Sequence, residues 1–107
     1  MHVGDLNATR VIQQSSWSTA VTITMHDEGH RPLANAVVKA SWNGGTAVSC
    51  TTGAAGSCVL TRSKIPRNAS MKLTVLGASN SNYSYAPGGN HDPDGGSNGT
   101  TISISRQ

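Results

Sequence analysis

Apolar and polar residues alternate along several stretches of this chain, a pattern that is typical of half-buried β-strands. The clearest stretch is WSTAVTITM, which begins at Trp17 and ends at Met25. Its odd-numbered positions are mostly large and apolar, whereas Ser, Ala and Thr occupy the positions between them. The segment therefore predicts a strand that turns one face to a core, formed by Trp17, Thr19, Val21, Ile23 and Met25.

Three later segments alternate in the same way: AVVKASW, SMKLTVLGA and TTISISR. TRVIQQ near the start is a weaker strand candidate, and SNSNYSYAPGGN is compatible with a strand or a loop. Gly, Pro, Asn and Asp separate these segments and favour turns. The inward-facing residues predicted for the three segments are Ala36, Val38, Ala40, Trp42, Met71, Leu73, Val75, Ile102 and Ile104.

Helical periodicity is missing from the chain, because no window of about eleven residues or more follows a period of 3.6. About seven short strands at a spacing of roughly ten residues predict an antiparallel β-sandwich. A length of 107 residues is typical of one domain, so a single sandwich over residues 1–107 is expected. Phe is absent, so the core volume must come from Val, Ile, Leu, Met and Ala.

The two cysteines, Cys50 and Cys58, flank the turn segment TTGAAGS. A cysteine pair in a small, polar and weakly charged domain favours a disulfide and an oxidising compartment. We expect the bridge to staple two short strands of a hairpin, with a contribution of about 2–3 kcal/mol in the chain-entropy treatment. A secreted or extracellular location is expected for the same reason.

Charged residues are few and scattered, and the formal net charge is +3. RSKIPR is the one basic cluster, whereas nucleic-acid binding favours a dense basic stripe with interleaved aromatic residues. No apolar run approaches the ~20 residues of a membrane-spanning helix. MHVGDLNATR lacks the features of a signal peptide, so secretion would make this chain a module of a larger protein. We expect neither nucleic acid nor a membrane as a partner.

Catalytic motifs are not evident in the sequence. Serine is abundant, but no G-x-S-x-G motif occurs, and only five acidic residues are present. The histidines His2, His26, His30 and His91 lack the tight ligand spacing of a zinc site. A hydrolase needs a nucleophile, a base and an orienting group, so we predict that the chain is not an enzyme.

Two inner segments resemble bacterial immunoglobulin-like (Ig-like) modules. In those modules a proline-containing turn leads into a P-(V/L)-x-x-A-x-V strand, and a T-(D/N)-x-x-G-x-(A/C) turn follows later. The corresponding segments here are RPLANAVVKASW and TTGAAGSC. The resemblance implies an Ig-like antiparallel β-sandwich of about seven strands.

The two ends carry a more specific resemblance. HVGDLN and NHDPDGGSNGTTISI are similar to the termini of an Ig-like module found at the C-terminal end of secreted, often multidomain bacterial proteins. In that group the start tends to read HVGDLDG and the end HDPDGDSNGT. The resemblance implies a non-catalytic accessory or spacer module that adjoins the other domains of a larger secreted chain. Asn7 and Gly96 replace acids of that pattern here.

A calcium site is one interpretation of the acidic loop HDPDGGSNGT. In an Ig-like sandwich the first strand often lies near the last, which would bring GDLN toward this loop. Calcium prefers carboxylate and carbonyl oxygens as ligands. The other interpretation is that these acids cap turns by accepting backbone N–H groups. The calcium hypothesis uses Asp5, Asn7, Asp92, Asp94 and Asn98.

Carbohydrate binding, in a module attached to a polysaccharide-degrading enzyme, is the alternative function. Sugar-binding sandwiches expose aromatic rings, whose large apolar area dominates such contacts. Tyr83 and Tyr85 share a face and form the best exposed pair, with Trp17 as a half-buried third candidate. Trp42 shares its face with Ala36, Val38 and Ala40, so we place it in the core.

Overall fold

The computed structural model describes residues 1–27, 29, 31–90 and 99–105. In this part of the chain seven strands are joined by turns and by one short 3₁₀ helix, η1 (Pro87–Gly89). The strands are β1 (His2–Ile12), β2 (Ser16–His26), β3 (Val37–Trp42), β4 (Ala47–Thr51), β5 (Ser57–Pro66), β6 (Met71–Ser79) and β7 (Thr101–Ile104). No described helix is long and apolar enough to cross a membrane.

The strands form two antiparallel sheets packed face to face. The first sheet has the order β1-β2-β5 and the second has the order β4-β3-β6-β7. Every ladder is antiparallel. The fold is thus an all-β sandwich, as predicted, and it is compatible with an Ig-like fold.

The core lies between the sheets and consists of the inward positions that alternation predicts. Trp17, Thr19, Val21, Ile23 and Met25 of β2 are buried, and the even-numbered residues that alternate with them are partly exposed. The predicted inward residues of β3, β6 and β7 are buried as well. Val3 and Leu6 of β1, Leu60 and Ile65 of β5, and Met1 complete the cluster. The alternation therefore fixes which face of each strand meets the other sheet.

The first strand is longer than TRVIQQ predicts, and that expectation is corrected. β1 begins at His2 and ends at Ile12, so GDLN lies within a strand and not in a loop. Its ladder with β2 shifts register between Val3 and Asp5, which makes Gly4 a bulge residue. A Cβ atom at Gly4 would clash with the imidazole of His26, so glycine is required there.

The hairpin expected around TTGAAGS is also corrected. β4 pairs with β3 in the second sheet, whereas β5 pairs with β2 in the first. The turn between β4 and β5 therefore crosses from one sheet to the other. The physical reason is that the backbone of β4 hydrogen-bonds to β3 and the backbone of β5 hydrogen-bonds to β2, so no ladder joins β4 to β5.

The described ends of the chain lie at opposite ends of the sandwich. Met1 contacts Ser84 and Ala86, which follow the end of β6. Ser105 lies beside Arg10, near the far end of β1. The extended chain between Met1 and Arg10 spans about 30 Å. The molecule is correspondingly elongated, with extents of 45 × 25 × 23 Å.

Candidate functional site

A single asparagine ties the first strand to the segment that precedes the 91–98 loop. The backbone N–H of Val3 donates to Oδ1 of Asn90 over 2.7 Å. Nδ2 of Asn90 donates to the hydroxyl of Tyr85 at 2.6 Å and to Oγ1 of Thr100 at 2.9 Å. Residues on both sides of the loop are therefore held next to β1.

The N-terminus is clamped by the same segment. The ammonium group of Met1 donates to the carbonyl oxygen of Ser84 at 2.6 Å, and the N–H of Ala86 donates to the carbonyl oxygen of Met1 at 2.7 Å. Gly89 lies against His2, because a Cβ atom built on Gly89 would be 3.3 Å from Cβ of His2. Residues 84–90 thus close one end of the sandwich over the start of β1.

Asp5 and Asn7 are neighbours on the outward face of β1. Nδ2 of Asn7 donates to Oδ2 of Asp5 at 2.7 Å, so the amide presents a donor and not an oxygen to the carboxylate. The other residues of the calcium hypothesis, Asp92, Asp94 and Asn98, lie outside the described residues. The described residues contain no group of three or more His, Cys, Asp or Glu that could hold a metal ion.

The first and last strands lie side by side at one edge of the sandwich, each in a different sheet. Nη1 of Arg10 donates to the carbonyl oxygen of Ser105 at 2.7 Å. A groove of about 440 Å³ separates β1 from β7 and is lined by residues 6–10 and 102–105. Arg10 therefore links the end of the described chain to β1 at this edge.

The opposite edge is closed by the disulfide between Cys50 and Cys58, whose Cα atoms are 5.9 Å apart. Cys50 lies on β4, the outer strand of the second sheet, and Cys58 lies on β5, the outer strand of the first. The predicted bridge is therefore confirmed, but it joins the two sheets instead of stapling a hairpin.

The aromatic side chains do not form the platform that carbohydrate binding would use. Trp17 is fully buried, and its Nε1 donates to the carbonyl oxygens of Pro66 and Ala69, each at 3.2 Å. This corrects the expectation of a half-buried Trp17. Tyr85 is partly buried against the core and accepts a hydrogen bond from Asn90. Tyr83, at 38% exposure, is the most exposed aromatic residue in the described part of the chain.

The turn after β2 contains a carboxylate, Asp27, whose pKa is lowered by its surroundings. Oδ1 of Asp27 accepts the backbone N–H groups of Gly29 and Arg31, at 2.8 and 3.0 Å. The Arg31 N–H lowers the pKa of Asp27 most, and the Gly29 N–H and the charges of Arg31 and His26 lower it further, against partial burial. Asp27 therefore serves as a turn cap. His30 and His91 lie outside the described residues.

Two other polar residues that sequence reasoning missed also hold loops in place. Oγ1 of Thr52, only 1% exposed, accepts the N–H of Ala36 and donates to the carbonyl oxygen of Leu33. The sequence places Asn90 at the end of SNSNYSYAPGGN, a segment compatible with a strand or a loop. Neither residue carries a local signal, because the partners of Thr52 lie 16 and 19 positions away and the bond from Val3 to Asn90 spans 87 positions.

Comparisons of the chain with protein-family models, with curated proteins and with solved structures found no match. Its function is therefore inferred from the residues and geometry described above.

Proposed function

We propose that this chain is a non-catalytic spacer module that holds two neighbouring domains of a larger secreted protein apart. The observation that carries the proposal is the placement of Met1 and Ser105 at opposite ends of an elongated sandwich. A chain that enters at one end and leaves at the other separates its neighbours by roughly the length of the module.

The ways in which the sandwich is closed support this role. At one end, residues 84–90 clamp the start of β1 through Met1 and Val3. Along one edge, the Cys50–Cys58 bridge prevents the two sheets from sliding apart. A spacer needs this kind of stiffness, because a module that bends or frays does not fix the distance between its neighbours.

The setting of the proposal is a secreted bacterial protein that uses an Ig-like accessory module. Three features support it: the all-β sandwich, the disulfide and the resemblance of both ends of the sequence to such modules. Disulfides persist in oxidising compartments, which favours a location outside the cytosol.

We also propose that calcium binds weakly where the 91–98 loop meets β1. Asn90 supports this, because it holds one base of the loop two residues from Asp5. Ligands would come from Asp5, Asn7, Asp92, Asp94 and Asn98, and Asn7 would have to turn its amide to offer Oδ1. Bound calcium would neutralise the charges of the acids and would link β1 to residues 91–98.

Carbohydrate binding is not proposed as a second function, because none of the described aromatic side chains pair into an exposed platform. The spacer proposal is tested by fusing a reporter domain to each end of the chain and measuring the distribution of distances between the reporters. The calcium proposal is tested separately by thermal unfolding with and without calcium, so the two proposals can fail independently.

A further inference from the structure

The four edge strands of the sandwich differ in how they are protected from pairing with another chain. β4 and β5 are joined by the disulfide, and β5 also contains Lys64 in a left-handed conformation, with φ of 55°, and ends at Pro66. β7 has only four residues. β1 has eleven residues, and its second half, residues 7–12, contains no proline, no lysine and no bulge. Prolines, charged side chains, bulges and short length are the usual devices that block strand pairing. Of these, residues 7–12 carry only the charge of Arg10, whose Nη1 donates to the carbonyl oxygen of Ser105.

The outer edge of β1 therefore offers backbone hydrogen-bonding groups to another strand. Among the described strands β2 is the only one that pairs with β1. Half of the backbone N–H and C=O groups of residues 7–12 consequently point away from the sheet, where an extended strand can pair with them. Val11 and Ile12, at 61% and 52% exposure, add apolar surface at the same edge.

We propose that this edge is a homodimer contact, in which β1 pairs antiparallel with β1 of a second copy about a twofold axis at Thr9. A twofold axis sets one patch against itself, so an edge strand is its own complement if no like charges meet. Arg10 is the one charged residue among residues 7–12. In this register Arg10 lies opposite the partner's Ala8, so the two guanidinium groups are not paired with each other.

The same register suits the remaining side chains. Thr9 lies opposite the partner's Thr9, and a threonine pair directly across an antiparallel ladder is favourable. Asn7 lies opposite the partner's Val11, so the Asn7 side chain covers part of the exposed Val11 side chain. Each odd-numbered residue lies opposite an odd-numbered residue of the partner. The outward-facing side chains of both copies therefore point to the same side of the joined sheet. The two three-stranded sheets then continue as one sheet of six strands.

The association is expected to be weak. One strand edge buries far less than the roughly 1,200–2,000 Å² of a stable interface. We expect a dissociation constant on the order of 0.1–1 mM, which becomes relevant where several copies of the parent protein are held close together. A chain that proves monomeric would leave the spacer proposal intact, because that proposal depends only on the fold of one copy.

The matched variants for the test are Thr9→Lys and Thr61→Lys. Thr9 on β1 and Thr61 on β5 flank Ala20 of β2 from its two sides, on the same outward face, and both are exposed. Sedimentation velocity of the wild type from about 10 µM to 1 mM should show a growing dimer fraction. Thr9→Lys should weaken the dimer about fivefold or more, because two lysines would meet across the axis. Thr61→Lys should leave it unchanged.

A cross-link fixes the register. Thr9→Cys should give a dimer linked through the two introduced thiols under mild oxidation, as mapped by mass spectrometry, while Thr61→Cys should give no cross-linked dimer. A wild type that sediments as a monomer at 1 mM overturns the proposal. It is also overturned if Thr61→Lys weakens association as much as Thr9→Lys does, because the contact would then involve the sheet face and not the edge.

Discussion

The backbone N–H of Val3 donates a hydrogen bond of 2.7 Å to Oδ1 of Asn90, which lies 87 positions further along the chain. Because the same asparagine also holds Tyr85 and Thr100, it joins β1, the segment after β6 and the residue before β7. This one side chain therefore holds the start of the chain next to Tyr85 and Thr100.

Asn90→Ala should lower the free energy of unfolding by about 2–3 kcal/mol, since three partners lose a hydrogen bond at a partly buried position. Urea denaturation followed by tryptophan fluorescence measures the change. Asn82→Ala is the matched control, because Asn82 is exposed and only its backbone N–H takes part in a described hydrogen bond. It should change stability by less than about 0.5 kcal/mol.

Two tyrosine variants separate the contributions around Asn90. Tyr85→Phe removes only the hydroxyl that accepts from Asn90 and should cost about 1 kcal/mol. Tyr83→Phe serves as the control and should be close to neutral, since the described hydrogen bond of Tyr83 uses its backbone. Equal effects of the two variants, or a neutral Asn90→Ala, would show that Asn90 does not anchor this end of the sandwich.

The disulfide should be fully formed in protein purified without reductant, so thiol labelling of the unfolded, unreduced chain should detect no free cysteine. The double variant Cys50→Ala/Cys58→Ala should lose about 2–3 kcal/mol. Because the bridge joins the sheets, amide exchange in that variant should accelerate along both β4 and β5. Faster exchange confined to the turn between the two strands would argue against a role in holding the sheets together.

Asp27 should titrate below its usual pKa of 3.8, because the folded turn stabilises the carboxylate through the N–H groups of Arg31 and Gly29. A depressed pKa in the folded state contributes stability that is present above the unfolded value and is lost as pH falls through the folded value. Asp27→Asn should therefore be less stable than the wild type at neutral pH, and the difference should vanish in acid. NMR titration of the carboxyl carbon measures the pKa directly, and a value at or above 3.8 would contradict this assignment.

Calcium at 10 mM should raise the melting temperature by several degrees if the dissociation constant lies near 10⁻³ M, a stabilisation of about 1.4 kcal/mol at tenfold excess. Asp92→Ala and Asp94→Ala should each abolish the increment, whereas Asp27→Ala, in a separate turn, should retain it. If calcium gives no shift and the Asp92 and Asp94 variants lose the same stability with and without the ion, the acids are turn caps and not metal ligands.

The sequence predicts the faces of the strands well because burial acts on each strand locally. Trp17, Val38 and Leu73 fall on inward faces by alternation alone, and all three are buried. Which strands become neighbours is a different matter. The turn between Thr51 and Ser57 looks the same whether β4 and β5 form a hairpin or cross between sheets, and the choice depends on pairing with the distant β2 and β3.

Other features escape prediction because their cause is non-local. Gly4 and Asp5 have low strand propensity, yet pairing with β2 and the space needed by His26 place them in β1. Asn90 follows Ala-Pro-Gly-Gly and resembles any turn asparagine until Val3 is placed beside it. Trp17 begins an alternating segment, which leaves open whether it is half-exposed, and only the carbonyl groups of Pro66 and Ala69 explain its full burial.

The central claim is that the chain is a stiff spacer, and the distance distribution between reporters fused before Met1 and after Gln107 tests it most directly. The mean distance does not decide the matter. A flexible Gly/Ser linker of the same length has a root-mean-square span of about 55–60 Å, which is close to the 45 Å long axis of the module. The width of the distribution, measured by time-resolved energy transfer, does decide it. We predict a narrow distribution that broadens only when the sandwich unfolds; a folded module whose distribution is as broad as that of the Gly/Ser linker would contradict the spacer proposal.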